Sequence, residues 1–203
     1  MNLVASGPVK PQALAGLATC AVLCMLAWLG PALGGAPQSD PPLVVDELDF
    51  RDRLDRAEVR YGDRRCETWT GNRWTCGLRP WHWVGRYTGA VTHNHETQHR
   101  ACIWAHPAGG KPLQIRFDAV PLGDALYGEA AILDVPREGG PVSLVVRVDE
   151  RLVKTVRLHD RGKGWTAWRA PTKPGTGVVS FEISAGDPSW RHVCFTALVE
   201  PAS

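Results

Sequence analysis

Past residue 110, apolar side chains recur at every second position. Leu113, Ile115 and Phe117 alternate with Gln114, Arg116 and Asp118, and Val179, Phe181 and Ile183 alternate with Ser180, Glu182 and Ser184. Successive side chains of a strand point to opposite faces, so this period of two predicts strands with one buried and one wet face. Val142, Leu144, Val146 and Val148 keep the same period, and a Val- and Thr-rich stretch from Leu152 to Leu158 follows Asp149-Glu150. A last strand is predicted from His192 to Val199. Nearer the amino end, Cys66-Glu67-Thr68-Trp69-Thr70 and Arg73-Trp74-Thr75-Cys76 flank the turn dipeptide Gly71-Asn72. That arrangement predicts a hairpin in which Trp69 and Trp74 stack across the strands. Phe50, Leu54 and Ala57 fall at helical spacing in the charged segment from Asp49 to Val59, which predicts a short amphipathic helix lying on the domain.

One stretch follows neither period. From Ala13 to Leu33 no Asp, Glu, Lys or Arg interrupts the chain; Lys10 is the one charge before it, and Asp40, Asp46, Glu47 and Asp49 follow. A hydrophobic N-terminal helix is predicted, acting as a signal peptide or membrane anchor that exports everything after it to the periplasm or cell surface. Ala32-Leu33-Gly34 resembles a signal-peptidase site, whereas the run approaches the roughly 20 residues that span a bilayer. Cleavage is the preferred reading, and retention stays open. The predicted organisation is therefore leader or anchor over 1–36, linker and amphipathic segment over 37–60, and a β-sandwich over 61–203.

With 21 Gly and 16 Pro among 203 residues, the composition is turn-rich and unsuited to a helical domain. Short strands divided by such turns argue for an all-β antiparallel sandwich, with a jelly roll the best fit. A formal net charge of +2 without any basic block argues against nucleic acid as a partner, and membrane contact is expected only through the N-terminal segment. Four cysteines lie outside the leader, Cys66, Cys76, Cys102 and Cys194, an even number in an oxidising compartment. Three pairings can be drawn. Cys66 with Cys76 brackets the hairpin, and Cys102 with Cys194 would join distant strands, so this pairing is expected; the spacing lacks the paired Cys-x-x-Cys form of a thiolate zinc site.

Between residues 100 and 198, Cys102-Ile103-Trp104-Ala105-His106-Pro107, Leu113 to Phe117, Val120-Pro121-Leu122-Gly123, Leu126-Tyr127-Gly128, Pro141 to Asp149, Gly164-Trp165 and Cys194-Phe195 together resemble bacterial galactose-binding-like sandwich modules. The resemblance implies a jelly roll of the kind that serves as a carbohydrate-binding or accessory domain of extracellular proteins. It supplies no catalytic group that transfers residue by residue.

His95-Glu96-Thr97-Gln98-His99 matches the zinc-peptidase pattern His-Glu-x-x-His. On a helix the two imidazoles would share a face and hold zinc while Glu96 activated water, giving a small zinc hydrolase as the alternative function. The surrounding pattern favours strands, and Ala105 stands where a third histidine would be expected. Were the segment extended, His93 and His95 would point to one side, and His93, His95 and His99 would form a surface cluster able to take up a metal ion. No cofactor is otherwise expected. The loop carboxylates Asp124, Asp134, Asp149 and Asp160 form no Asp-x-Asp ligand run, so solvated turns are expected there rather than calcium.

Eight tryptophans lie outside the leader. Sugar rings stack their CH faces on flat aromatics, so exposed indoles beside polar groups suit glycan recognition. Trp104 and Trp165 sit in strand patterns and are expected in the core; Trp69, Trp74, Trp81 and Trp83, in and after the hairpin, are the candidate binding group. The expectation is an exported binding or accessory domain, not a catalyst, with carbohydrate as first ligand; a structural domain contacting an envelope protein is the remaining alternative.

Overall fold

The structure, a computed structural model, describes residues 47–77, 79–135, 139–159 and 164–203. The apolar leader and the start of the linker lie outside the described residues. The strands run in chain order as β1 (Leu48–Asp49), β2 (Glu58–Tyr61), β3 (Arg64–Arg65), β4 (Thr68–Trp69), β5 (Arg73–Thr75), β6 (Trp83–His93), β7 (Glu96–Ala105) and β8 (Leu113–Leu122). They continue as β9 (Ala125–Ile132), β10 (Val142–Val148), β11 (Arg151–Leu158), β12 (Thr166–Pro171), β13 (Gly175–Ala185), β14 (Val193–Phe195) and β15 (Leu198–Glu200). Six strands form one sheet in the order β11-β10-β13-β8-β2-β3. Nine form the other as β1-β15-β9-β14-β7-β6-β5-β4, with β12 also pairing β9. Every pairing is antiparallel.

The period-two residues close the space between the sheets. Ile115, Phe117, Leu144, Val146, Phe181 and Ile183 from the six-stranded sheet are buried with Ile103, Leu126, Ile132 and Phe195 from the nine-stranded one. Phe50 packs edge-on against Phe117 and Phe181, and Phe181 meets Phe195 at 5.2 Å across the sandwich. Burying an aromatic of this kind contributes about 2–3 kcal/mol, offset by the ordering it demands.

Three points need correction or completion. The lead-in from Asp49 is not an amphipathic helix: it carries β1, a turn, a short 3₁₀ helix (Leu54–Arg56) and β2, which pairs with β8. Phe50, Leu54 and Ala57 are nevertheless buried, because a turn stitched to the sandwich can deliver the same side chains to the core. The segment after the first hairpin, in which the sequence marks no individual strand, forms the long hairpin β6–β7, which pairs from Val84↔Ala105 to His93↔Glu96. The predicted final strand is divided into β14 and β15.

The outer face of β6–β7 carries a second apolar cluster of Val91, Cys102, Trp104, Ala131, Leu133 and Cys194, with Trp83 and Trp165 against it. Trp104 is thus buried, but on the face opposite the inter-sheet core, since its neighbours Ile103 and Ala105 point inward. The disulfides pair as expected, Cys66 with Cys76 and Cys102 with Cys194. The register sets Cys194 opposite Trp104, two residues from Cys102 on the same face. Gly89 underlies this bridge: a Cβ there would come within 2.6 Å of the Cys194 sulfur and of Leu133, so only glycine lets them lie flat on β6.

Candidate functional site

Three loops converge at one end of the sandwich: 76–82 between β5 and β6, 106–112 between β7 and β8, and 186–192 between β13 and β14. They enclose a cleft of about 470 Å³. Trp81 and Trp190 line it, as do the three histidines His82, His106 and His192, with Pro107 and Pro188 between them. Large aromatics are ordinarily covered, yet Trp81 is 49% and Trp190 39% exposed. Among the described lining residues there is no carboxylate, no lysine and no arginine.

The histidines are held from beneath. The His82 ring stacks on Tyr61 at 5.1 Å, and the Tyr61 hydroxyl donates to the His106 carbonyl at 2.8 Å. Burial pushes the Tyr61 hydroxyl pKa up, so it stays a donor. His106 is only 7% exposed, and its Nδ1 lies 2.9 Å from the Pro107 carbonyl, which can only accept. The Nδ1 therefore carries the proton, and Nε2 is left with a lone pair. Ring centres of His106 lie 5.3 Å from His192 and 6.2 Å from His82. Burial, then repulsion from His192, holds His106 down to about 4; burial also lowers His82 and His192, with Arg79 and Arg191 reinforcing the effect. At neutral pH the cleft is thus an uncharged surface of flat rings and imidazoles that accept or donate single hydrogen bonds.

Of the four tryptophans singled out from sequence, Trp81 alone lines this cleft. Trp69 and Trp74 pair across the hairpin as expected, their ring centres 5.5 Å apart but tilted by 53° rather than stacked; Trp74 donates its indole N–H to the Leu54 carbonyl, and both pack on the core. Trp83 lies flat on Trp104 at 3.7 Å with the Arg73 guanidinium over its ring. Trp190, His82, His106 and His192 escaped the sequence reading because three separate loops supply them. The one local signal was the juxtaposition of Trp and His in Trp81-His82 and Trp190-Arg191-His192.

His93, His95 and His99 sit around the β6–β7 hairpin turn, whose Asn94 and His95 adopt positive φ of 51° and 68°. The helix that the zinc-peptidase geometry requires is not there, since Glu96 to Ala105 is a strand and His95 belongs to the turn. His99 pairs with Ala90 whereas His93 follows Val91 in facing the outer side, so the two imidazoles leave opposite faces of the hairpin. No group of three metal-ligating side chains occurs among the described residues. Asp134 accepts from the backbone and hydroxyl of Thr92, Asp149 from the Val178 amide and Asp124 from the Ser203 amide, so these three carboxylates serve as turn and end caps.

No protein-family model and no curated protein sequence matches the chain. Among solved structures, one similar fold is that titled CBM51-2 in complex with GlcNAc and INT domains from Clostridium perfringens ZmpB. It aligns with a TM-score of 0.51 at 11% identity over 77% of this chain and 32% of that one. Another is CBM51 from Clostridium perfringens GH95 in complex with methyl-galactose, with a TM-score of 0.50 at 14% identity over 76% of this chain and all (100%) of that one. This chain spans about a third of the ZmpB chain and the whole of the GH95 module. The described domain thus has the galactose-binding-like jelly-roll fold of carbohydrate-binding modules, in agreement with the resemblance carried by residues 100–198. At these identities the likeness is one of fold, and a ligand has to be argued from the cleft.

Proposed function

We propose that this chain is an exported carbohydrate-binding domain, without catalytic activity of its own, whose site is the cleft between the three converging loops. One observation carries the reading: two half-exposed indoles, Trp81 and Trp190, open onto a concave surface backed by three neutral histidines. A pyranose presents an apolar CH face that stacks on indole and hydroxyls that need single donors and acceptors, which His82, His106, His192 and Ser189 can provide. The cleft volume of about 470 Å³ falls in the range of roughly 300–1,000 Å³ typical of small-ligand pockets. Two disulfides fit an oxidising compartment, as does the apolar leader. The leader would present the domain outside the cytoplasm, tethered or free.

The test is glycan-array binding followed by titration calorimetry on the full chain, Trp81→Ala and Trp190→Ala. Each substitution is expected to weaken binding at least tenfold, as for a central aromatic anchor, with circular dichroism and melting unchanged because both rings stand at the rim. Binding that survives the loss of both indoles, or no binding to any glycan, overturns the proposal.

A further inference from the structure

Beside the cleft, across the loop that carries Trp81 and His82, lies a second hollow of about 360 Å³ formed by Thr75, Cys76, Gly77, Arg79, Pro80 and the two aromatic residues that follow Trp81. His82 lines both hollows and so forms their common wall. The chemistry of the second differs from that of the first. The Arg79 guanidinium lies 6.0 Å from the centre of the Trp81 ring, on the hollow's border with the cleft. Arg64, on β3, brings a guanidinium nitrogen to 3.5 Å from the point where a Cβ on Gly77 would sit, so a second cation stands beside one of the hollow's lining residues without itself lining it. No Asp or Glu lines either hollow among the described residues. Arg60, Arg86, Arg100, Arg116, Arg147 and Arg169 find carboxylates elsewhere on the domain, whereas Arg53, Arg56, Arg65, Arg73, Arg151 and Arg157 form no ion pair among the described residues. Arg64 and Arg79 have no ion-pair partner among the described residues.

We infer that the glycan bound in the cleft carries an anionic substituent, a sulfate ester or a uronate carboxylate, which the second hollow receives against Arg79, with Arg64 beside Gly77 adding positive charge at its edge. This rests on the carbohydrate reading of the cleft and adds the ligand's charge to it. A sugar stacked against Trp81 directs its neighbouring ring, or its own exocyclic group, over His82 into the second hollow. A planar guanidinium fork matches a carboxylate or sulfate in two parallel hydrogen bonds, and such charge-assisted bonds are stronger than neutral ones. Both arginines are exposed, so the attraction is screened by salt.

Calorimetric titrations of the full chain with lactose and N-acetyllactosamine, each against its 6-sulfated form, and with galactose against galacturonic acid, test the inference. At 50 mM salt the charged member of a pair is expected to bind about tenfold tighter, falling to about threefold or less at 500 mM. Preference within the sulfated pairs identifies a sulfate ester as the source, and preference for galacturonic acid a carboxylate. Arg64→Ala/Arg79→Ala should bind both members of a pair with the wild-type affinity for the neutral one, which also shows that the variant is folded. Trp190→Ala should lose both. Equal affinities for charged and neutral members overturn this inference while leaving the cleft assignment intact. Binding of inorganic sulfate alone, without gain for any charged sugar, overturns it as well, and failure of every glycan to bind removes both readings together.

Discussion

Acid should loosen this domain through one residue above others. His106 is buried and neutral at pH 7, with its imidazole held down to about 4 by burial and by His192, whereas in the unfolded chain it titrates near 6.5. The unfolded state therefore binds more protons between those two values. Stability falls as pH drops through about 6.5 and levels off below about 4. A gap of about 2.5 units corresponds to about 3 kcal/mol lost across that window, a large part of the margin of an ordinary domain. Carboxylates titrate over the lower part of the same range, so the reading must be differential. In His106→Asn the amide nitrogen takes the place of Nδ1 and keeps the donation to the Pro107 carbonyl, yet nothing titrates. Urea unfolding of wild type and variant at pH 7.0, 5.5 and 4.0 is expected to show the wild type losing about 3 kcal/mol more than the variant on acidification. Parallel pH dependences, or a His106 ring resonance titrating near 6.5, would refute the argument that this imidazole is sealed under the cleft.

Other consequences follow from the same geometry. Trp83→Ala removes the ring stacked on Trp104 and should cost about 2–3 kcal/mol of stability while leaving affinity for a neutral glycan, bound in the cleft that Trp83 does not line, within about twofold, the reverse of Trp190→Ala. Opening Cys102–Cys194 by paired serine substitution should destabilise by about 4–5 kcal/mol, against about 3 kcal/mol for Cys66–Cys76, because in the chain-entropy account a closure 92 residues apart restrains the unfolded chain more than one of 10; equal losses in denaturant melts would count against that account here. Protein purified without an affinity tag should contain no stoichiometric zinc, and His95→Ala/His99→Ala should leave its metal content unchanged; a mole of zinc lost on that substitution would contradict the hairpin placement of these histidines.

The sandwich was legible in the chain because burial on one face of a strand imposes a period of two that survives in the residues. Leu113 to Phe117, Val142 to Val148 and Val179 to Ile183 carry it, and all three stretches are strands of the six-stranded sheet. The cysteine pairing was legible too, from the bracketed hairpin and the compartment implied by the leader. β6 was harder, since Trp83 to His93 mixes glycines with polar residues on both faces, and its outer face is partly covered by a second apolar cluster that blurs the alternation. Phe50, Leu54 and Ala57 misled in the opposite sense: helical spacing arose from a turn and a 3₁₀ segment that bury the same three side chains.

The His-Glu-x-x-His pattern shows how far a local motif can be from its usual meaning, because His95 lies in the hairpin turn and His99 on strand β7 rather than one helical turn apart. Strand character, bridges and the absence of a charge bias were thus properties of short stretches, fixed by neighbours a few residues apart. The cleft was not, for its walls come from residues 76–82, 106–112 and 186–192, brought together only when antiparallel strands return the chain three times to the same end of the sandwich. Which indole is packed and which is offered to a ligand depends on that long-range closure, and no single segment of sequence contains it.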